Sequence, residues 1–224
     1  MRMKVSEALA TRMTCRSFLP DPVDQATVRA IIEQARQAPS GGNLQPWHLH
    51  IMSGEPLAAL LADIREQMPA TPRGQPPEYS VYPPNLKDPY EARRFKCGED
   101  MYATMGIERT DKASRIAQFQ KNFAFFGAPV GMFVYIDRTM GPPQWADVGI
   151  FIQSIMLLAR EFGLHCCAQE AWVQWHETVA SHVNPPQEWM LFCGIGLGYM
   201  DHDAPINSLR TDRAQLDEIA TFHS

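Results

Sequence analysis

The sequence is short of what a disulfide framework or a zinc site requires. Its 224 residues include five cysteines, Cys15, Cys97, Cys166, Cys167 and Cys193. The count is odd and no two form a CxxC pair, which argues against both. In "HCC" (165–167) adjacent side chains on a strand point to opposite faces. Buried free thiols are the expectation, and with them a reducing, cytoplasmic setting. No apolar run reaches the roughly 18 residues that a membrane span needs. The opening "MRMKVSEALATRM" has no apolar signal core. Positive charge is not in excess: the formal net charge is -5, so a nucleic-acid partner is not expected. No Ser-His-Asp or Cys-His order marks covalent catalysis. His48 and His50 share a strand face without a third ligand, so they are expected to pack or hydrogen-bond, and no metal is expected.

What is present supports one folded domain over 1–224. Hydrophobic residues make up 45% and charged residues 20%, enough for a full core and too apolar for disorder. Residues 24–38 read as an amphipathic helix, capped by Asp24 and ended by Pro39. "WHLHIM" (47–52) alternates as a half-buried strand does. Pro56 suits the first turn of a helix that continues through 57–67. The proline-dense segment 69–110 shows no sustained period. A lid or arm is favoured there over a linker, because the apolar pattern after it does not read as independent of what precedes it. The spacing then predicts a helix (111–126), a strand (129–136) and a largely apolar helix (144–163) that belongs at the centre of the fold or in a subunit interface. Strands at 164–169 and 190–199 follow, separated by a short helix near 174–183, with a C-terminal tail across the surface. "GIGLG" (194–198) ends a strand with no helix start after it, so it fails as a dinucleotide loop.

Three separated stretches carry the candidate chemistry. In "TRMTCRSF" Arg12, Thr14 and Arg16 alternate, so an extended chain would project two guanidiniums and a hydroxyl on one side, suited to clamping an anion. "APSGGNLQPW" (38–47) places Ser40, Gly41, Gly42, Asn43 and Gln45 where a shorter turn would serve. "LRTDR" (209–213) holds Arg210 and Arg213 in a tail with no evident packing role. Asp137 and Asp147 show no partner in the sequence and read as structural.

Together, in this order, "RMTCRSF" (12–18), "APSGGNLQPW" and "LRTDR" resemble the FMN-dependent nitroreductase family over nearly the whole chain. "FFGAPVG" (125–131) and "CAQEAW" (167–172) are most similar to the branch that includes nitrobenzoate reductases. The resemblance implies an α+β fold, with a mixed, mainly antiparallel central sheet surrounded by helices, in a homodimer with flavin at the interface. It implies FMN as cofactor, held at the phosphate and ribityl by Arg12, Thr14 and Arg213, with Arg210 in reach and Met13 at a position often polar in relatives. Pro39, Ser40, Gly41 and Asn43 would approach from the other subunit. Arg16 would face the flavin pyrimidine edge and Asn122 the ribityl or pyrimidine oxygens. Gln169, Glu170 and Ala171 would form the turn whose backbone N–H groups meet the N5/O4 edge; Ala171 stands where relatives commonly have glycine. NADH or NADPH would donate electrons to a small aromatic oxidant, nitroaromatic or quinone-type, in a ping-pong exchange through one pocket. For the substrate, the segment "YEARRFKCGEDMY" (90–102) offers Arg93, Arg94 and Tyr102, as a lid over the site or as a merely solvated charge run. A reductive dehalogenase or flavin-consuming enzyme on the same fold, and a flavin-binding protein without turnover, are the rival readings.

Overall fold

The computed structural model describes residues 3–223. Its centre is a sheet of β1 (His48–Ser53), β2 (Val130–Asp137), β3 (His165–Gln169) and β4 (Trp189–Gly198) in the order β1-β2-β4-β3. All three pairings are antiparallel. The parallel component is confined to an isolated bridge between Thr14 and Cys166.

Strand alternation sends side chains into two cores. Phe133, Tyr135 and Leu191 meet α3 (Gly54–Gln67) and α7 (His176–Val183) through Leu57, Leu60, Ile64 and Val179. On the other face Met132, Val134 and Ile136 meet α2 (Gln25–Ala35) and α6 (Pro142–Glu161) through Val28, Ile31, Val148, Phe151 and Ile155. The side chain of Asp24 caps α2 by accepting from the Ala26 N–H at 3.2 Å, and Pro142 opens α6 where a missing N–H costs nothing. Helix α1 (Val5–Thr11), which the sequence reading did not assign, packs on α6. No described helix is long and apolar enough to cross a membrane.

Three expectations need correction. Segment 69–110 is not irregular throughout: α4 (Tyr90–Ala103) occupies its second half. None of its residues is buried, so no apolar stripe betrays it; proline stops at Pro89, and Lys96 to Asp100 supplies an i,i+4 ion pair at 2.5 Å. The helix at 111–126 ends early, as α5 (Lys112–Gln120) followed by a 3-10 stretch, Lys121–Gly127. Phe123, Phe125 and Phe126 are all buried there, which a single α-helical face cannot achieve, and Phe125 and Phe126 turn inward with φ of 48° and 55°. Cys97 is exposed on α4, whereas the other four cysteines are buried and free. A last short helix, α8 (Leu216–Ile219), lies in the tail.

The glycines of "GIGLG" have a packing cause. Gly194, Gly196 and Gly198 share one face of β4, where added methyl groups would meet the Trp172 indole, Phe125 and Pro129 respectively. Bare backbone at these points lets the Trp172 indole, the Phe125 backbone and the Pro129 ring lie close against the strand.

Candidate functional site

Residues 12–18 run extended along the free edge of β3, where the Cys15 N–H donates to the Cys166 carbonyl at 3.1 Å. Alternation follows as expected. Met13 and Cys15 turn into the core, so Met13 offers a ligand little beyond its backbone, while Arg12, Thr14 and Arg16 line a hollow of about 430 Å³. Leu209, Arg210, Thr211 and Arg213 close its far side, with Leu9, Ala10 and Cys97 at the rim. Among the described residues the lining thus holds four guanidiniums and no carboxylate. Arg12 and Arg16 have no hydrogen-bond or ion-pair partner for their guanidiniums among the described residues. Arg210 donates to the Asn207 and Leu209 carbonyls, each at 3.0 Å, and Arg213 to Thr211 Oγ1 at 2.7 Å. Four like charges around one hollow repel each other unless an anion neutralises them. The planar fork of arginine matches a phosphate in geometry and in charge, so these residues fit the phosphate of a mononucleotide such as FMN.

Asn207, unforeseen in the sequence, ties the two chain ends together. It is buried; its Oδ1 accepts from the Arg16 backbone N–H at 2.8 Å, and its Nδ2 donates to the Ser17 and Asp201 carbonyls, both at 2.8 Å. An interaction across 191 positions leaves no local signal. Arg16 also borders a second hollow that contains Lys121 and the buried Gln118.

At the end of β3 the buried Gln169 donates from Nε2 to the Asn122 carbonyl at 2.8 Å and to its Oδ1 at 3.2 Å. Asn122 Nδ2 donates in turn to the Phe119 carbonyl at 2.7 Å, so the two amides fix each other. Glu170 opens a 3-10 helix, Glu170–Trp175. Its side chain keeps an exposed edge, yet burial of the rest raises its carboxyl above the ordinary range. Ala171 follows, half-buried.

The Ser/Gly/Asn loop is hydrogen-bonded at its base yet exposed. Gly42, Asn43 and Gln45 adopt φ of 59°, 56° and 50°, the left-handed region that glycine and asparagine tolerate best. Ser40 Oγ accepts from the Gln45 N–H at 2.9 Å, and Asp147 Oδ2 accepts from the Gly41 N–H at 3.2 Å. Asp147 reaches it from α6, where it is buried, so its structural role has a defined object. Trp47 stacks on Phe151 with centroids 4.7 Å apart and pins the exit. Within one chain this loop does not meet the arginines. It precedes β1 at one edge of the sheet, Thr14 lies beyond β3 at the other, and the register sets His48 and Cys166 at opposite ends of the strands. Strand spacing and rise put them roughly 20 Å apart.

Arg93, Arg94 and Tyr102 share α4 but not one surrounding. Arg93 pairs with Glu218 at 2.9 Å, Arg94 lies over the Tyr82 ring at 4.0 Å, and Tyr102 carries the Arg115 guanidinium at 4.1 Å. His48 stacks on Trp189 and His50 meets Tyr135 edge-on; burial lowers the pKa of both imidazoles. Burial likewise pushes the thiols of Cys15 and Cys167 up to about 11 and about 12, so neither is a thiolate nucleophile at neutral pH.

His165, beside the arginine-lined edge, gives a pH prediction. Burial first, then the charge of Arg160, lowers its pKa to about 4. The unfolded imidazole binds a proton near 6.5 and the folded one does not until far lower. The contribution of His165 to stability is therefore fully present above pH 6.5 and is lost as pH falls toward 4, by up to about 3 kcal/mol. Urea midpoints at pH 7 and pH 4.5 should differ less in His165→Gln than in the wild type; an unchanged difference contradicts this.

Fold and site together define a small α+β protein in which residues 9–16 and 209–213 line one arginine-rich hollow. Comparison with known proteins is in accord. The nitroreductase family model matches residues 9–199, and the chain belongs to that family. It is 36% identical to a 4-nitrobenzoate reductase of Pseudomonas putida, over 96% of this chain and 93% of that one. It is 33% identical to a nitrobenzene nitroreductase of Ectopseudomonas oleovorans, over 97% and 96%. Among solved structures, the FMN and NADPH-dependent nitroreductase NfnB from sphigopyxis sp. strain HMH superposes with a TM-score of 0.95 at 44% identity, covering 99% of this chain and 100% of that one. An FMN-dependent NfnB from Mycobacterium smegmatis in complex with NADPH gives 0.92 at 28% identity, over 98% and 97%.

Proposed function

We propose that this chain is an FMN-dependent oxidoreductase that passes electrons from NAD(P)H to nitroaromatic acceptors, nitrobenzoates among them, and to quinone-type acceptors, and that it works as a homodimer. The observation that carries the reading is the arginine cradle built from both ends of the chain. FMN, when bound, supplies the two-electron exchange between nicotinamide and acceptor. The protein supplies position and charge. Arg12, Thr14, Arg210 and Arg213 hold the phosphate end. Arg16, fixed through its backbone by Asn207, presents a cation to the pyrimidine side, where reduction places negative charge. Gln169 and Asn122 offer an immobilised amide pair, and the Glu170–Ala171 backbone offers N–H donors.

Pro39, Ser40, Gly41 and Asn43 of the partner subunit complete the crevice. The roughly 20 Å between loop and cradle within one chain, and the exposure of Gly41–Gln45, support a site shared between two copies. Exposed apolar side chains support it too: Val5 is 71% and Leu9 52% open on α1, Ile150 42% on α6, and Phe222 80% in the tail. Such surface is what a subunit interface covers.

Anaerobic addition of NADPH or NADH to the yellow protein tests the activity. Rapid bleaching, reversed by a nitroaromatic, is the expected result. Stable colour contradicts it and would leave a flavin carrier.

A further inference from the structure

We propose that Arg73 is the residue that selects anionic aromatic acceptors, by pairing with a carboxylate at the outer end of the acceptor groove. The inference rests on the nitroaromatic reading above. A groove of about 580 Å³ lies between the 69–89 segment, α4 and α5, with Tyr102, Ile116, Phe119 and Gln174 among its lining. Ile116 and Phe119 are 57% and 42% exposed, an apolar floor open to a flat ring. Two cations border it, Arg73 and Arg115, and they are not equivalent. Arg115 is neutralised by a two-point pair with Glu99, at 2.7 and 2.9 Å, and covers the Tyr102 ring. Arg73 has no hydrogen-bond or ion-pair partner among the described residues.

The position of Arg73 is set by its neighbours. The next residue, Gly74, has φ of 71°, and a side chain there would collide with the Gln174 carbonyl. Gln75 N–H donates to that carbonyl at 2.6 Å, while its side chain donates to Thr178 Oγ1 at 2.8 Å and accepts from the Glu177 N–H at 2.9 Å. His176 Nε2 lies 3.1 Å from the Pro76 carbonyl. These bonds tie residues 74–76 to the end of the 3-10 helix that starts at Glu170, through Gln174, and to the first turn of α7, through His176, Glu177 and Thr178. Gln174 stands three residues after Ala171, a rise of roughly 6 Å, comparable to the span of one benzene ring with its para substituents. Phe119 and Gln120 reach the groove from the other side, next to the Asn122–Gln169 pair. A ring lying between the Ala171 turn and Arg73 would thus place one end at the site of electron transfer and a para carboxylate at the free guanidinium. A charge-assisted, two-point contact of this kind discriminates strongly against a neutral ring.

The test compares holoenzyme of the wild type, Arg73→Ala and Arg73→Lys with 4-nitrobenzoate and with nitrobenzene. In Arg73→Ala, kcat/KM for 4-nitrobenzoate should fall by about 10-fold or more, chiefly through KM, with nitrobenzene changed less than about twofold. Arg73→Lys should recover part of the loss. Calorimetric binding of benzoate, which requires no turnover, should weaken in parallel in Arg73→Ala. Equal effects on both nitro compounds, or none on benzoate binding, overturn the assignment. A wild type that turns over neither compound would instead count against the nitroreductase reading, and benzoate binding would still decide for or against Arg73.

Discussion

Replacing Arg12 and Arg213 together by alanine should weaken FMN binding by on the order of 100-fold or more and leave riboflavin binding unchanged. A hydrogen bond to a charged group contributes about 1.5–3 kcal/mol, and 1.4 kcal/mol is a factor of ten. Neighbouring losses do not simply add, so the lower end of the combined range is the safe expectation. Riboflavin lacks the phosphate and should not register the change. The two residues come from opposite chain ends and line one hollow with Arg16 and Arg210, so each single variant should show a smaller loss of the same kind. Fluorescence titration of the apoprotein with both flavins measures this. A riboflavin loss equal to that of FMN would mean that the arginines stabilise the fold or grip another part of the cofactor.

The second large effect concerns Gly194. Trp172 is fully buried, with its indole against the bare backbone of Gly194. Neither can yield easily: Gly194 is a central-strand residue paired with both Phe133 and Gln169, and Phe123, Phe125 and Phe133 surround the indole. Gly194→Ala should therefore destabilise by about 1–3 kcal/mol through overpacking, against a total that for most domains is about 5–15 kcal/mol. Gly98→Ala is the contrasting case. Nothing lies within 4 Å of a methyl group there, and the residue sits inside α4, so helix propensity should stabilise by up to about 1 kcal/mol. Urea unfolding of both variants should give opposite signs; the same sign in both would contradict the packing account.

The sequence was most legible where periodicity and burial coincide. The strands at 47–52, 129–136, 164–169 and 190–199 lie within about a residue of those observed, because β2 and β4 are apolar on both faces and β1 begins after a proline. The alternation of Arg12, Thr14 and Arg16 was also readable, since an extended edge segment needs only period two. Helix α4 was hidden because nothing in it is buried, and the break after Gln120 because no glycine or proline marks it before Gly127. Asn207 and Asp147 act at a distance of 191 and 106 positions, so nothing beside them in the sequence could announce what they hold. The carboxylate-compensated Arg115 and the uncompensated Arg73 look alike in the sequence. Only the position of Glu99 separates them.

The central claim is that one cofactor site needs the arginines of one chain and the Ser/Gly/Asn loop of another. Subunit mixing tests it most directly. One variant carries Arg12→Ala with Arg213→Ala; the other carries Gly41→Leu, at an exposed position where an added Cβ meets only Asp147 Oδ2, at 3.8 Å. Each alone should bind little FMN. In the mixed dimer one crevice receives both lesions and the other none, so FMN should bind with wild-type affinity at one site per dimer. A mixed dimer that stays colourless would mean that loop and arginines serve the same site within one chain, and the account would fail.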